Sequence, residues 1–154
     1  LLVGEGDLKH HIEKRIENEG INESIRLVGI REDIGTMLHS MDVFVFPSLY
    51  EGLGLVLLEA QASGLPCIVS ESIQPEADLQ LGLVTQLSLR DGPEVWAEAI
   101  VRQATRKEKN IHKIIQSFER NDFSPESGIS KLMNLYGVGI AMGGSNEKNI
   151  DRFV

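Results

Sequence analysis

One cysteine, Cys67, occurs in 154 residues, so no internal disulfide framework can brace this chain. It is expected as a small residue in a buried strand. Aromatic side chains make up only 5% of the sequence. No apolar run approaches the roughly 18 residues that a membrane span needs. No secretory leader is visible, which makes the cytoplasm the expected compartment. No Asp-x-Asp pair is present, so there is no sign of a metal bridging a diphosphate. His10, His11, His39 and His112 lack metal-ligand spacing and have no cysteine partners. There is no glycine-lysine phosphate loop, and Gly4-Glu5-Gly6 continues to Lys9 where a dinucleotide fingerprint needs glycine. Ser48 has no neighbouring histidine to activate it. Positive charge is also short. The net charge of −8 argues against a nucleic-acid partner and is awkward for an anionic ligand.

The pattern that is present alternates strands with helices. Hydrophobic content is ordinary at 42%, and the length suits one domain with a real core. Strands are predicted over 1–3, 25–28, 43–46, 67–69 and 83–86. Helices are predicted over 7–19, 32–41, 55–62, 93–105, 110–120 and 127–136. In the first helix Leu8, Ile12 and Ile16 share a face, and Gly20 stops it. Residues 121–125 read as a turn, with Ser124 a cap for the last helix. The order implies an α/β fold, a Rossmann-like parallel sheet with helices on both faces. Ligands then bind beyond the carboxyl ends of the strands. A domain over 1–136 is expected, followed by a glycine-rich tail over 137–154 to which the pattern assigns no structure. No internal repeat is detectable. The chain opens on Leu1, directly in a strand-like run, so an upstream part is expected.

The densest signal is Pro47-Ser48-Leu49-Tyr50-Glu51-Gly52-Leu53-Gly54-Leu55-Val56-Leu57-Leu58-Glu59-Ala60. It follows the apolar strand Val43-Phe44-Val45-Phe46. Gly52 and Gly54 permit a sharp turn and close approach to a ligand. The turn offers the free N–H groups of a helix start to whatever lies above the strand. Seven residues separate Glu51 from Glu59. Glu59 stands in an almost wholly apolar helix, where a carboxylate must find donors or raise its pKa. It lies about 7.5 Å along the axis from Gly54, within reach of a ligand at the helix mouth. Sugar hydroxyls are suitable donors. Alternatively, Glu51 caps the turn and Glu59 meets a core serine, lysine or amide.

This run, with Gly64-Leu65-Pro66-Cys67-Ile68-Val69 after it, resembles the donor-binding domain of the retaining glycosyltransferases of family four. These GT-B enzymes carry a Glu-x7-Glu motif. Leu2-Val3-Gly4-Glu5-Gly6-Asp7-Leu8 and Ile25-Arg26-Leu27-Val28-Gly29 resemble the family's preceding units, and the likeness extends to about Tyr136. Residues 75–97 look most like the branch that builds bacterial exopolysaccharide and capsule.

The resemblance implies the C-terminal half of a GT-B fold with its first strand-helix unit missing. It implies transfer of a sugar from a nucleotide-diphosphate sugar, a UDP-sugar being favoured, with no bound metal or other cofactor. Glu51 would contact the donor sugar and steady the anomeric centre. Glu59 would grip the ribose. The amides of Gly52, Leu53, Gly54 and Leu55 would hold diphosphate or sugar oxygens, and Arg31 would meet the base. Glu76 falls where the family has a Pro-Glu loop beside the donor, although Ser72, Ile73 and Gln74 replace the usual glycines. The family's cationic diphosphate clamp and acceptor domain precede the matched stretch. A glycan or lipid-linked acceptor would bind that other domain, with peripheral membrane association left open. Arg31 also reads as an exposed loop charge, and Tyr50 as a partly buried wall. Two other readings stand beside this one: a nucleotide-sugar epimerase on the same fold, and a non-catalytic binding or scaffold module.

Overall fold

The computed structural model describes residues 1–137. Helix α1 (Lys9–Asn18) and helix α2 (Ile34–Ser40) precede strand β1 (Phe44–Phe46). Helix α3 (Leu55–Ala62), strand β2 (Cys67–Ser70), a 3-10 turn (Pro75–Ala77) and strand β3 (Val84–Leu87) follow. The chain continues through a 3-10 turn (Leu89–Asp91) to helices α4 (Gly92–Gln103), α5 (Ile111–Arg120) and α6 (Pro125–Leu135).

The strands form a parallel sheet in the order β1-β2-β3. Phe44, Val45 and Phe46 stand beside Cys67, Ile68 and Val69, and Cys67, Ile68 and Val69 beside Val84, Thr85 and Gln86. Alternate side chains of a strand point to opposite faces. On one face Cys67 and Val69 join Leu38 of α2 with Leu57 and Ala60 of α3. On the other, Ile68 packs on Trp96 and Ala99 of α4. All four residues of β2 are buried, as expected of a strand covered on both sides. The Rossmann-like α/β architecture with helices on both faces is therefore the one observed. A third cluster joins Leu58 of α3 to Leu79, Leu81, Leu83 and Ile114, and so seats α5 against the sheet layer.

Three local expectations are corrected. The stretches 1–3 and 25–28 do not form full strands; they meet in a single parallel bridge, Leu2 to Leu27. Leu1, Leu2 and Val3 remain 41–59% exposed, so the ladder lacks the apolar cover that would extend it. In α1 only Ile16 is buried, while Leu8 and Ile12 face solvent. The last helix begins at Pro125, two residues before the predicted start, because Ser124 accepts from Ser127 N–H at 3.1 Å and proline suits the first helical position. The glycine-rich tail expected over 137–154 lies, apart from Gly137, outside the described residues.

Candidate functional site

The three parallel strands end on one side of the sheet, and an open cavity of about 980 Å³ is lined by β1 and the stretch 1–4, with Ile30 and Arg31 from the loop after Leu27. Gly4 and Arg31 follow the two bridged stretches, and Pro47 follows β1. Val56 and Glu59 enter from α3. The rest of the lining is mostly apolar and includes Leu2, Val3, Val43 and Phe44.

The start of α3 follows from glycine chemistry. Gly54 is the N-cap residue and sits in the left-handed region at φ 71°, ψ 57°, where a side chain is strained. It has no side chain with which to cap the helix, so the first-turn N–H groups keep their capacity for a ligand. Leu57 N–H is already used, donating to Gly54 O at 2.8 Å.

Glu59 is not buried, contrary to what its apolar helix suggests. Leu57, Leu58, Ala60 and Gln61 take the buried sides of α3, and the remaining side, with Leu55 and Glu59, is open. Among the described residues its carboxylate has no hydrogen-bond or ion-pair partner. It lines the same cavity as Arg31. The core-partner alternative for Glu59 is thereby removed.

Glu51 has a protein partner. Ser48 Oγ lies 2.9 Å from Glu51 Oε1 and 3.0 Å from Tyr50 O, and its one proton can be donated to either. Ser70 in turn donates to the Ser48 carbonyl, which ties the turn to the end of β2. Glu51, Gly52, Leu53, Gly54, Leu55 and Glu76 lie outside the lining of the large cavity. Tyr50 is 87% exposed and is not a buried wall.

Arg31 is an exposed loop charge with a defined geometry. Its Nε and Nη2 donate to the two oxygens of Asp33 at 2.8 and 2.7 Å. That fork raises the guanidinium pKa and holds the Asp33 carboxyl below its ordinary value. The pairing leaves Asp33 without a capping bond to α2. Glu76 sits exposed on the Pro75–Ala77 turn, beside a second cavity of about 300 Å³ lined by Gln74, Asp78 and Gln86.

One positioning residue escaped the sequence reading. Gln61 is fully buried in α3. Its Nε2 donates to Ala77 O at 2.7 Å, and its Oε1 accepts from Leu79 N–H at 2.9 Å. It fastens the turn that carries Glu76 to the helix that carries Glu59. The signal was there: a lone amide in an apolar helix must find buried partners. Among the described residues no three His, Cys, Asp or Glu side chains gather into a group that could hold a metal. No helix among them is long and apolar enough to cross a membrane.

Residues 1–106 match the family described as glycosyl transferases group 1. Over 152 residues the chain is 39% identical to "Putative glycosyltransferase EpsF" of Bacillus subtilis (strain 168), covering 99% of this chain and 38% of that protein. It is 33% identical to the UDP-Gal:alpha-D-GlcNAc-diphosphoundecaprenol alpha-1,3-galactosyltransferase of Escherichia coli, covering 88% of this chain and 36% of that one. Among solved structures, WaaG, a glycosyltransferase involved in lipopolysaccharide biosynthesis, superposes with a TM-score of 0.64 at 19% identity, over 89% of this chain and 37% of its own. The chain thus spans less than two fifths of the length of the proteins it matches. With a family match over residues 1–106, which include every described strand, and a GT-B type Rossmann-like fold, this chain belongs to the glycosyl transferases group 1.

Proposed function

We propose that this chain is the donor-binding domain of a retaining glycosyltransferase that moves a sugar from a nucleotide-diphosphate sugar to an acceptor, in bacterial exopolysaccharide or capsule assembly. The observation that carries the reading is Glu59: a carboxylate without a protein partner among the described residues, on the open side of α3, in the cavity that Arg31 also lines. Adjacent ribose hydroxyls supply the donors that such a carboxylate lacks. Arg31, held flat by Asp33, meets the base. The N–H groups of Gly52, Leu53, Gly54 and Leu55, at the uncapped start of α3, donate to diphosphate or sugar oxygens at the positive end of the helix. The UDP-Gal of the Escherichia coli relative's name favours a UDP-sugar.

The chemistry is heterolysis. The bond from the anomeric carbon to the diphosphate oxygen breaks, and its electron pair leaves with the oxygen. The acceptor hydroxyl oxygen bonds to the anomeric carbon on the face the diphosphate is leaving, and its proton passes to the departing oxygen. Glu51, oriented by Ser48, steadies the positive charge that grows on the sugar. Glu76 borders the donor, on a turn fixed by Gln61. No metal is required in this scheme. The acceptor, a glycan or a lipid-linked sugar, is held by a further domain that closes over the cleft and excludes water. The cytoplasm is the proposed compartment, one that a single buried thiol suits.

Calorimetry of this chain with UDP, GDP and ADP tests the reading. Binding of at least one, weakened about tenfold or more by Glu59→Gln with an unchanged melting temperature, is the expected result, since a hydrogen bond to a charged group contributes about 1.5–3 kcal/mol. Absence of heat with all three favours the scaffold reading instead.

A further inference from the structure

Positive charge is scarce in this chain and unevenly placed. Of the 15 Lys and Arg, five stand in the segment 102–113: Arg102, Arg106, Lys107, Lys109 and Lys113. One acidic residue, Glu108, lies among them. The segment therefore carries +4 in a chain of −8, and the remaining residues carry −12. It runs from the last turn of α4 to the first turn of α5. Lys107 pairs with Asp42 at 3.5 Å, and Lys113 pairs with Glu108. Arg102, Arg106 and Lys109 are exposed and have no ion-pair partner among the described residues.

Helix dipoles account for only part of this. Cations suit the C-terminal end of a helix, which covers Arg102 and Arg106 beside the end of α4. The start of α5 is the wrong end for them. Lys109 precedes the N-cap residue Asn110, and Lys113 stands in the first turn, where positive charge is unfavourable. Apolar side chains are exposed in and beside the same segment: Val101 at 77%, Ile111 at 54% and Ile115 at 47%. The backbone holds the segment in place. Glu108 N–H donates to Gly64 O at 2.9 Å, ahead of β2, and Asp42, the partner of Lys107, stands ahead of β1. The segment thus crosses the end of the sheet at which the strands begin, away from the carboxyl ends beyond which ligands bind.

Fixed cations interleaved with exposed aliphatic side chains match the boundary of an anionic bilayer. There lipid phosphates accept from Lys and Arg, and apolar groups enter the headgroup layer. A nucleic acid offers the phosphates without that layer. We propose that the segment 102–113 docks this domain on an anionic membrane surface. Arg102, Arg106 and Lys109 donate to lipid phosphates, and Val101, Ile111 and Ile115 meet the headgroup boundary. Salt screens charges beyond about 8 Å at physiological ionic strength, so the acidic remainder of the chain does not cancel the attraction at this contact. The carboxyl ends of the strands are left free. The docking needs no nucleotide, so failure of donor binding leaves it standing.

Vesicle flotation of the complete polypeptide containing this stretch tests the proposal. It should float with vesicles of equimolar phosphatidylglycerol and phosphatidylcholine, and not with phosphatidylcholine alone. Added salt should release it. Arg102→Glu, Arg106→Glu and Lys109→Glu together should weaken binding on the order of 100-fold, since each cation near such a surface contributes about a factor of five. Lys14→Glu, Arg26→Glu and Arg90→Glu together change the net charge equally from exposed positions outside the segment, and should leave binding nearly unchanged. Both triple variants should melt with the wild type. Equal flotation with the two kinds of vesicle, no flotation with either, or a first variant that binds no more weakly than the second would overturn the proposal. Binding to soluble polyglutamate that the first variant loses, without flotation, would overturn it in favour of an acidic protein partner.

Discussion

At the scale of single residues, exposure separates three groups that the sequence presents alike. Glu59, Gln61 and Cys67 all stand in strongly apolar surroundings along the chain. In three dimensions Glu59 is open, while Gln61 and Cys67 are fully buried. Burial pushes the Cys67 thiol up to about 12, so it is no nucleophile, in keeping with a small residue in a buried strand. Gln61 is the residue whose loss is felt through other groups. Gln61→Leu keeps the volume but leaves Ala77 O and Leu79 N–H buried without partners. A cost of about 2–4 kcal/mol is expected, since each unsatisfied group costs about 1–3 kcal/mol. Urea denaturation measures it, and a loss under about 1 kcal/mol would mean that the Pro75–Ala77 turn holds itself without the amide.

At the scale of elements, the ends of helices decide where the chain can turn. Gly64 closes α3 at φ 68°, and a Cβ there would lie 2.1 Å from the Glu108 carbonyl oxygen. The backbone crossing is thus glycine's alone, and Glu108 N–H donates back to Gly64 O at 2.9 Å. The junction between α5 and α6 works by charge. Asp122 is left-handed at φ 64°, accepts from Ser127 Oγ at 2.6 Å and pairs with Lys131 at 2.8 Å. Lys131 and Ser127 hold its carboxyl below the ordinary value of 3.8. A carboxyl lowered in the folded state stabilises fully above its unfolded pKa, and that contribution is lost as pH falls through the folded one. The docking of α6 should therefore be constant from pH 7 to about 5 and weaken below about 4. Asp122→Asn tolerates the same backbone and lacks the charge. It should speed α6 amide exchange at pH 6, and the difference should shrink steadily as pH falls below about 4. A difference that does not shrink with falling pH would show that the charge is not the tether.

At the scale of the whole molecule, the strands among the described residues fall into two pieces, and both line the large cavity. One piece is the single bridge Leu2–Leu27, the other is β1-β2-β3. Glu59 lines that cavity and Glu51 does not. Relatives of this chain are more than twice its length. A donor domain that lacks a facing acceptor domain cannot exclude water or align a hydroxyl. The 154-residue chain by itself is expected to transfer no sugar from UDP-glucose or UDP-galactose to a lipid-linked acceptor. Product analysis by mass spectrometry checks this, and turnover above the buffer rate would show that one domain suffices.

Strand-helix alternation, the glycine-hinged start of α3, the buried β2 and the Ser124 cap were all legible in the sequence, because each is a local consequence of periodicity, φ freedom or a short polar side chain. The family was legible too, from Glu51, Glu59 and the glycines between them at fixed spacing. Contacts between distant segments were not. That Glu59 faces a cavity, that Gln61 clamps a turn 16 and 18 residues away, and that 1–3 and 25–28 shrink to one bridge depend on which surfaces cover which. A residue's neighbours along the chain fix its backbone preferences; only the packed layers determine whether it meets protein or solvent.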